Sequence, residues 1–147
     1  PINSAKLIID HVEDGVIIAK KNNLPERVID FIKTHHGNSV VYFFYKKHEE
    51  LKDENYLKED FQYPGPKPFS KETAILMMAD SVEAASKSLK NPTADQLEEF
   101  VNKVVSDKMN ENQFDSSDIT LKEIETVKNV LYKKLVNIYQ LRIEYPE

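Results

Sequence analysis

The sequence predicts an all-α fold, and three observations support this prediction. Only 3 of the 147 residues are glycine. Alternating strand patterns are scarce, and apolar residues recur at helical spacing along most of the chain. A chain of this length fits one domain with a substantial core, and 40% hydrophobic and 31% charged residues are ordinary for a globular domain. We therefore expect one domain built from helices.

The first half of the chain predicts three helices. Residues 4–21 place apolar side chains on one helical face, with Gly15 as a bend or break. Pro25 opens a second helix that ends near Gly37, because proline suits a helix start and glycine a helix end. The apolar stretch 40–45 fits either a buried strand or a buried helical turn, and the helix-forming residues after it favour a helix.

Three longer helices are predicted in the second half, each with a capping residue at its start. Ser70 caps the first helix, while Thr93 with Gln96 and Thr120 with Glu123 match the capping box. The apolar positions of the first of these helices share one face and are Ile75, Met78, Val82 and Ala85. Those of the last helix form a long stripe and are Leu121, Ile124, Val127, Leu131, Leu135 and Ile138.

The composition excludes several classes of function. The net charge of −5 argues against a general nucleic-acid binder, although it is compatible with a local basic pocket for one small anion. The absence of cysteine excludes disulfides and thiolate zinc sites. No apolar run approaches the ~20 residues that span a bilayer, and no signal peptide is visible. The chain starts at Pro1 and stops at Glu147 directly after a helical pattern, so we expect a piece of a longer protein.

Three histidines and one aspartate form the candidate metal site. His11 lies in the first helix, and the pair His35 and His36 precedes a glycine. Asp80 follows an apolar helical run. Nitrogen and oxygen ligands of these types suit a divalent transition metal. Each has a simpler interpretation, since the histidine pair could stabilise a helix C-terminus and the aspartate could face solvent. His48 lies among charged residues and is predicted to be a solvated surface residue.

The order of these residues resembles that of the HD-domain metal phosphohydrolases. The resemblance rests on the runs SAKLIIDHVEDGVIIAKKNNLPERVIDFIKTHHG, YPGPKP, ETAILMMADSVEAASKSL and RIEYP, and it covers nearly all of the chain. The pattern is similar to that of the cytoplasmic HD domain in seven-transmembrane receptor-type proteins, which hydrolyse the bacterial second messenger cyclic di-AMP. The resemblance implies an HD-domain-like helical bundle.

The resemblance also implies a set of metal ligands of which this chain carries only a part. In that family the ligands are, in chain order, a histidine, a His-Asp doublet, a histidine, a histidine pair and a late aspartate. The last three elements match His11, His35–His36 and Asp80, whereas the first histidine and the doublet have no counterpart. We therefore expect residues 1–147 to be the C-terminal portion of a single HD domain, truncated at the N-terminus and nearly inactive by itself. The complete domain is expected to hold two divalent ions, iron or manganese by resemblance, with zinc or nickel also compatible.

The proline-rich loop is the candidate substrate-binding segment. Tyr63 offers a ring for base stacking and Lys67 a partner for phosphate, on a loop that Pro64 and its neighbours make rigid. Gly65 belongs to the same loop. Arg142 near the end of the chain could pair with a phosphate or with a neighbouring carboxylate. The alternative is that the loop is a structural connection whose lysine is solvated.

These expectations define one hypothesis and two alternatives. The hypothesis is that the chain is part of a metal-dependent phosphodiesterase that converts the cyclic dinucleotide cyclic di-AMP to the linear dinucleotide. The parent protein would then be a bacterial membrane-anchored protein, with this segment in the cytoplasm and without direct membrane contact. The alternatives are a non-catalytic helical module that binds a nucleotide, and an HD phosphohydrolase that acts on another nucleotide. No DNA or RNA partner is expected, and the oligomeric state stays open.

Overall fold

The structure, a computed structural model, describes residues 2–52 and 54–144, with side chains described up to residue 139. The α-helices in these ranges are α1 (Ile2–Lys21), α2 (Glu26–Thr34), α3 (Tyr42–Leu51), α4 (Lys71–Ser86), α5 (Ala94–Asn110) and α6 (Leu121–Glu144). A short 3-10 helix, Lys58–Phe61, lies between α3 and α4. No strand occurs in these ranges, and the predicted all-α fold is confirmed.

The predicted capping residues start the last three helices. The Ser70 hydroxyl accepts a hydrogen bond from the backbone N–H of Thr73, at 3.1 Å. Thr93 and Gln96 form a reciprocal capping box at the start of α5. The Thr120 hydroxyl accepts from the backbone N–H of the residue three positions later, at 3.1 Å. These side chains satisfy N–H groups that have no partner within the helix, which is why the sequence locates the helix starts so well.

The prediction of a bend at Gly15 was wrong, because α1 is one continuous helix. The glycine instead permits a close approach between helices. A Cβ added to Gly15 would lie 3.1 Å from Cγ2 of Ile32 on α2. The missing side chain therefore lets α2 pack directly against the backbone of α1.

The segment after α2 contains a tight turn followed by a helix. His35 caps the C-terminus of α2, and Gly37 has a φ of +53°, as predicted for a glycine that ends a helix. The stretch 40–45 is helical from Tyr42 onwards, which agrees with the preferred interpretation. Val40 instead forms an isolated antiparallel bridge with Gln62.

The buried residues of α4 and α6 differ in part from the apolar faces predicted for these helices. The buried cluster is formed by residues of α4, α5 and α6 together with Phe114, and its α4 members are Ala74, Met77, Met78 and Val82. Ile75, which was assigned to this face, is 40% exposed because the buried face is rotated towards the preceding residue. On α6, Ile124 and Leu135 are buried as predicted, whereas Leu121 and Ile138 at the ends of the stripe are exposed.

The prediction that His48 is a solvated residue was also wrong. Its side chain is buried, its ring packs against Phe61, and its Nε2 lies 3.2 Å from the carbonyl oxygen of Tyr56. The charged neighbours of His48 on α3 lie on other faces of the helix. A histidine within a run of charged residues can therefore still be buried, as His48 is.

The helices pack in two groups. Helix α1 contacts α2 and α3, and α4 contacts α5 and α6. Among the described helices, the contact between α2 and α4 joins these groups. The C-terminal end of α2 and the middle of α4 are therefore the elements that bring the candidate ligands together. In the described part of the chain, no helix combines the length and apolarity needed to span a bilayer.

Candidate metal centre

The structure brings three of the four predicted ligands to one point. His11 on α1 and His35 and His36 at the end of α2 each offer one ring nitrogen, and these nitrogens lie within 4.8 Å of one another. The Nε2 atoms of His11 and His35 are 3.2 Å apart. His11 is exposed, whereas the other two rings are half-buried. The close packing of α1 on α2, at Gly15, is what places the first histidine beside the pair.

Backbone carbonyl groups orient two of the imidazoles. Nδ1 of His11 contacts the carbonyl oxygen of Ile8, and Nδ1 of His35 lies 2.7 Å from the carbonyl oxygen of Ile32. A carbonyl oxygen only accepts hydrogen bonds, so each Nδ1 donates to its carbonyl and Nε2 is the nitrogen left to bind a metal. In both cases the orienting group is the backbone carbonyl three residues earlier in the chain, which the sequence alone did not identify.

This orientation fits a bound cation. The two Nε2 atoms are 3.2 Å apart, and they can either share a proton in a hydrogen bond or both bind one cation. Two nitrogen ligands at about 2.0–2.1 Å from one tetrahedral ion lie about 3.3 Å apart, close to the separation found between His11 and His35. The three histidines could therefore hold a divalent metal ion, and their nitrogen donors are compatible with several first-row metals.

His36 is held in its neutral form. Its ring stacks on that of Tyr63, with centroids 4.4 Å apart and planes inclined by 17°. Burial lowers the pKa of His36 to about 3, assisted by the positive charges of His35, His11 and Lys108. A neutral imidazole keeps a lone pair for a metal, so this environment favours coordination over protonation.

Asp80 lies beside the histidine cluster but outside the set of mutually close donor atoms. Its Oδ2 is 3.9 Å from Nδ1 of His36, and its side chain is 37% exposed. Asp80 also acts on the loop, because its charge adds to burial in raising the pKa of Tyr63 to about 12. The carboxylate therefore faces the same side of the site as His36 without joining the three nitrogens.

A cavity of about 370 Å³ opens beside His36 and Asp80. Its wall includes Tyr63 from the loop and Lys108 from α5. Lys108 was not singled out from the sequence, where it is one lysine on an amphipathic helix. Its ammonium lies 3.7 Å from a carboxylate oxygen of Glu111, and its side chain is only 21% exposed.

The predicted substrate-binding residues are spread over different places. Tyr63 is buried against His36, so one face of its ring is already covered by the imidazole. Pro64 is exposed, and Gly65 has a φ of +84° in the same loop. Lys67 lines a second cavity, of about 380 Å³, together with polar side chains such as Asn38. Arg142 belongs to α6, but its side chain lies outside the described residues.

Comparison with known proteins identifies the family. The sequence pattern of the HD domain matches residues 2–85, which include His11, the histidine pair and Asp80. The chain belongs to the HD domain family. This HD domain is 43% identical over 147 residues to the cyclic-di-AMP phosphodiesterase PgpH of Bacillus subtilis. It is 38% identical to the protein of the same name from Listeria monocytogenes. Both matches cover all of this chain and 20% of the relative, so the chain spans about a fifth of their length.

Solved structures show the same fold. The crystal structure of the HD domain of Listeria monocytogenes PgpH matches with a TM-score of 0.88 and 37% identity, over 95% of this chain and 64% of that chain. The same domain in complex with cyclic di-AMP also matches with a TM-score of 0.88, at 36% identity, over 93% of this chain and 64% of that chain. The helical bundle of this chain is therefore that of the PgpH HD domain, and about a third of the solved domain has no counterpart in it.

Proposed function

We propose that this chain is part of a metal-dependent phosphodiesterase domain that hydrolyses cyclic di-AMP to the linear dinucleotide. The observation that carries the proposal is the convergence of the ring nitrogens of His11, His35 and His36. Two relatives that align with the whole chain are named cyclic-di-AMP phosphodiesterases, and one solved neighbour binds cyclic di-AMP. A histidine cluster that could hold a metal in this chain, together with a nucleotide ligand in one relative, favours phosphodiester hydrolysis over a purely structural role.

The residues of this chain would share the work at the site as follows. The Nε2 atoms of His11 and His35, with one nitrogen of His36, would hold a manganese or iron ion. Such an ion polarises phosphoryl oxygens and supplies a hydroxide at neutral pH. Tyr63 would support the plane of His36 through the stacked rings. Asp80 would offer a carboxylate ligand to a second ion.

The cavity beside the metal centre would receive the phosphate groups of the nucleotide. Lys108 is a half-buried cation in its wall, and such a cation attracts phosphate even in a chain of net charge −5. Lys67 would interact with the far part of the ligand from the neighbouring cavity. We keep Pro64 and Gly65 as backbone that shapes this loop, and Arg142 as a candidate partner of phosphate.

We further propose that residues 1–147 are the later portion of a single HD phosphohydrolase domain. The sequence contains no His-Asp doublet, and the match covers only 64% of the solved neighbour, so about a third of that chain lies outside it. On α1, Leu7 and Ile18 are 76% and 60% exposed. They lie before and after His11 on the same face of the helix. Together they form an exposed apolar surface that a preceding segment would cover. The resemblance further implies a cytoplasmic domain of a membrane-anchored parent.

The decisive experiment compares this chain with a chain extended at its N-terminus by the segment that precedes it in the parent protein. Both are incubated with manganese and cyclic di-AMP, and the linear dinucleotide is measured by chromatography. We expect turnover by the extended chain and little or none by residues 1–147, because a bridging carboxylate is missing. Robust turnover by the 147-residue chain, or no turnover by the extended one, would contradict the proposal.

Two controls separate the alternatives. The extended chain with His36→Ala should lose turnover while a control variant at the distant buried position Val105→Ala retains it. Cyclic di-GMP is assayed beside cyclic di-AMP, because a preference for the guanine nucleotide would assign another substrate to the same site. Binding of cyclic di-AMP by the extended chain without hydrolysis would instead assign a regulatory module.

A further inference from the structure

Gln113 lies in the connection between α5 and α6, outside the region that matches the HD domain pattern. Its side chain is almost fully buried, with 2% exposure. A buried primary amide needs partners for its oxygen and for both N–H groups, since unpaired polar atoms in the interior are costly. The partners that it has therefore indicate why an amide occupies this position.

Gln113 binds the turn that follows the histidine pair. Its Oε1 accepts a hydrogen bond from the backbone N–H of Asn38, at 3.2 Å. Its Nε2 donates to Oδ1 of Asn38, at 2.7 Å, and to the carbonyl oxygen of Glu111, at 3.2 Å. Gln62 completes the arrangement by donating to the carbonyl oxygen of Asn38. The residue two positions after His36 is thus held by two glutamines from distant parts of the chain.

Gly37 shows how closely Gln113 approaches this turn. A Cβ on Gly37 would overlap Oε1 of Gln113, and it would lie 2.9 Å from Cε of Met77 on α4. The backbone after His36 therefore runs between α4 and the glutamine amide, with no room for a side chain. This close packing restricts the backbone conformation of the turn.

The direction of the two adjacent imidazoles depends on this turn. Neighbouring residues of a regular helix point about 100° apart, so His35 and His36 would diverge if α2 continued. The helix ends at Thr34, and the turn closes with hydrogen bonds from Gly37 N–H to Thr34 O and from Ser39 N–H to His36 O. His35 itself keeps helical backbone dihedrals, so what the turn controls is the placement of the His36 ring beside that of His35.

We propose that Gln113 is a positioning residue for the metal centre, which fixes the turn after His35 and His36 so that both rings face one ion. The proposal rests on the metal site of the proposed function. The connection between α5 and α6 would then help to hold the metal ligands in place. Ligands that are held in place by hydrogen-bonded neighbours lose less freedom when a metal binds, which is why loss of such support costs affinity.

The test measures zinc binding by the 147-residue chain, using calorimetry on wild type and on five variants. Gln113→Ala should weaken zinc binding about 10-fold or more. Gln113→Glu keeps an oxygen that accepts from Asn38 N–H and should fall between wild type and Gln113→Ala. Asn38→Ala removes the bond to Oδ1 but keeps the backbone N–H that Gln113 accepts from, so it should weaken zinc binding less than Gln113→Ala, and the double variant should resemble Gln113→Ala. The control is Val105→Ala, in the buried face of α5, which lowers the melting temperature without contacting the turn.

A second measurement does not need metal. In the metal-free chain, Gln113→Ala should shift the imidazole ¹⁵N resonances of His35 and His36 and speed hydrogen exchange at the backbone N–H of Asn38. Unchanged resonances would overturn the proposal, as would wild-type zinc affinity in Gln113→Ala or an equal loss of affinity in Val105→Ala. If the wild-type chain binds no zinc, the proposed metal site fails separately, and the metal-free resonances still decide the role of Gln113.

Discussion

At the scale of single residues, the four histidines have two different roles. His11, in the middle of α1, clusters with His35 and His36 at the C-terminal end of α2, while His48 is buried against Phe61. The sequence set His48 apart because of its charged neighbours, whereas the other three histidines were chosen because their order resembles that of the HD-domain family. It failed for the environment of the fourth histidine, since burial is decided by packing with residues that are distant in the chain.

We predict that His35→Ala and His48→Ala separate metal binding from stability. Loss of His35 removes a ligand and should weaken zinc binding at least about 100-fold, more than the loss of an outer-shell partner costs. Loss of His48 removes a buried ring that packs against Phe61 and hydrogen-bonds the Tyr56 carbonyl, so it should lower the free energy of unfolding by about 1–3 kcal/mol while zinc affinity is retained. Calorimetry and urea unfolding measure both quantities, and a similar loss of zinc affinity in the two variants would refute the assignment.

The pKa of His36 predicts an acid-sensitive fold in the absence of metal. Because the folded state holds this pKa near 3 and the unfolded state near 6.5, the unfolded chain binds the proton more readily. The free energy of unfolding should therefore fall as the pH decreases from about 6.5 towards 3, beyond the change due to carboxylates.

Urea unfolding in the presence of a chelator, between pH 4 and 7, checks this prediction. His36→Gln carries no proton that differs between the folded and unfolded states, so its stability should depend less steeply on pH than that of wild type. Both proteins keep the other titratable groups near His36, so these groups contribute to the pH dependence of both. They are Asp80, His11, His35 and Lys108. Identical slopes for the two proteins would contradict the assigned pKa.

At the scale of elements, the site depends on how closely α1 packs against α2. Gly15 provides that approach, and His11 lies one turn before it on α1. The capping residues Ser70 and Thr93 predicted where α4 and α5 begin because the capping interaction is local. The glycine was misread as a break, because its role depends on Ile32 of a different helix.

We predict that Gly15→Leu separates the two helices and weakens metal binding. A side chain at Gly15 would collide with Ile32, so α1 must move away from α2 and carry His11 with it. Zinc affinity should fall about 10-fold, and the free energy of unfolding should fall by about 1–3 kcal/mol. Lys20→Leu adds the same side chain at an exposed position of α1 and is the matched control. Equal zinc affinity in Gly15→Leu and wild type would show that this approach does not position the histidine.

At the scale of the whole molecule, the sequence predicted the all-α class, and it proposed four candidate ligands, three of which lie close together. It could not predict that the turn after His36 is bound by Gln113, because the two partners are 75 residues apart. It also gave no sign that Lys108 faces the cavity beside Asp80. Local signals such as caps and glycines can be read along the chain, whereas contacts between distant helices follow only from their packing.

The central claim is that His11, His35 and His36 hold one metal ion. Crystals of the chain grown with zinc and measured at the zinc absorption edge test it most directly, because anomalous scattering locates the ion without reference to activity. We predict one strong peak at about 2.0–2.1 Å from Nε2 of His11, from Nε2 of His35 and from a ring nitrogen of His36. Crystals that contain zinc with no peak between these three rings would contradict the account.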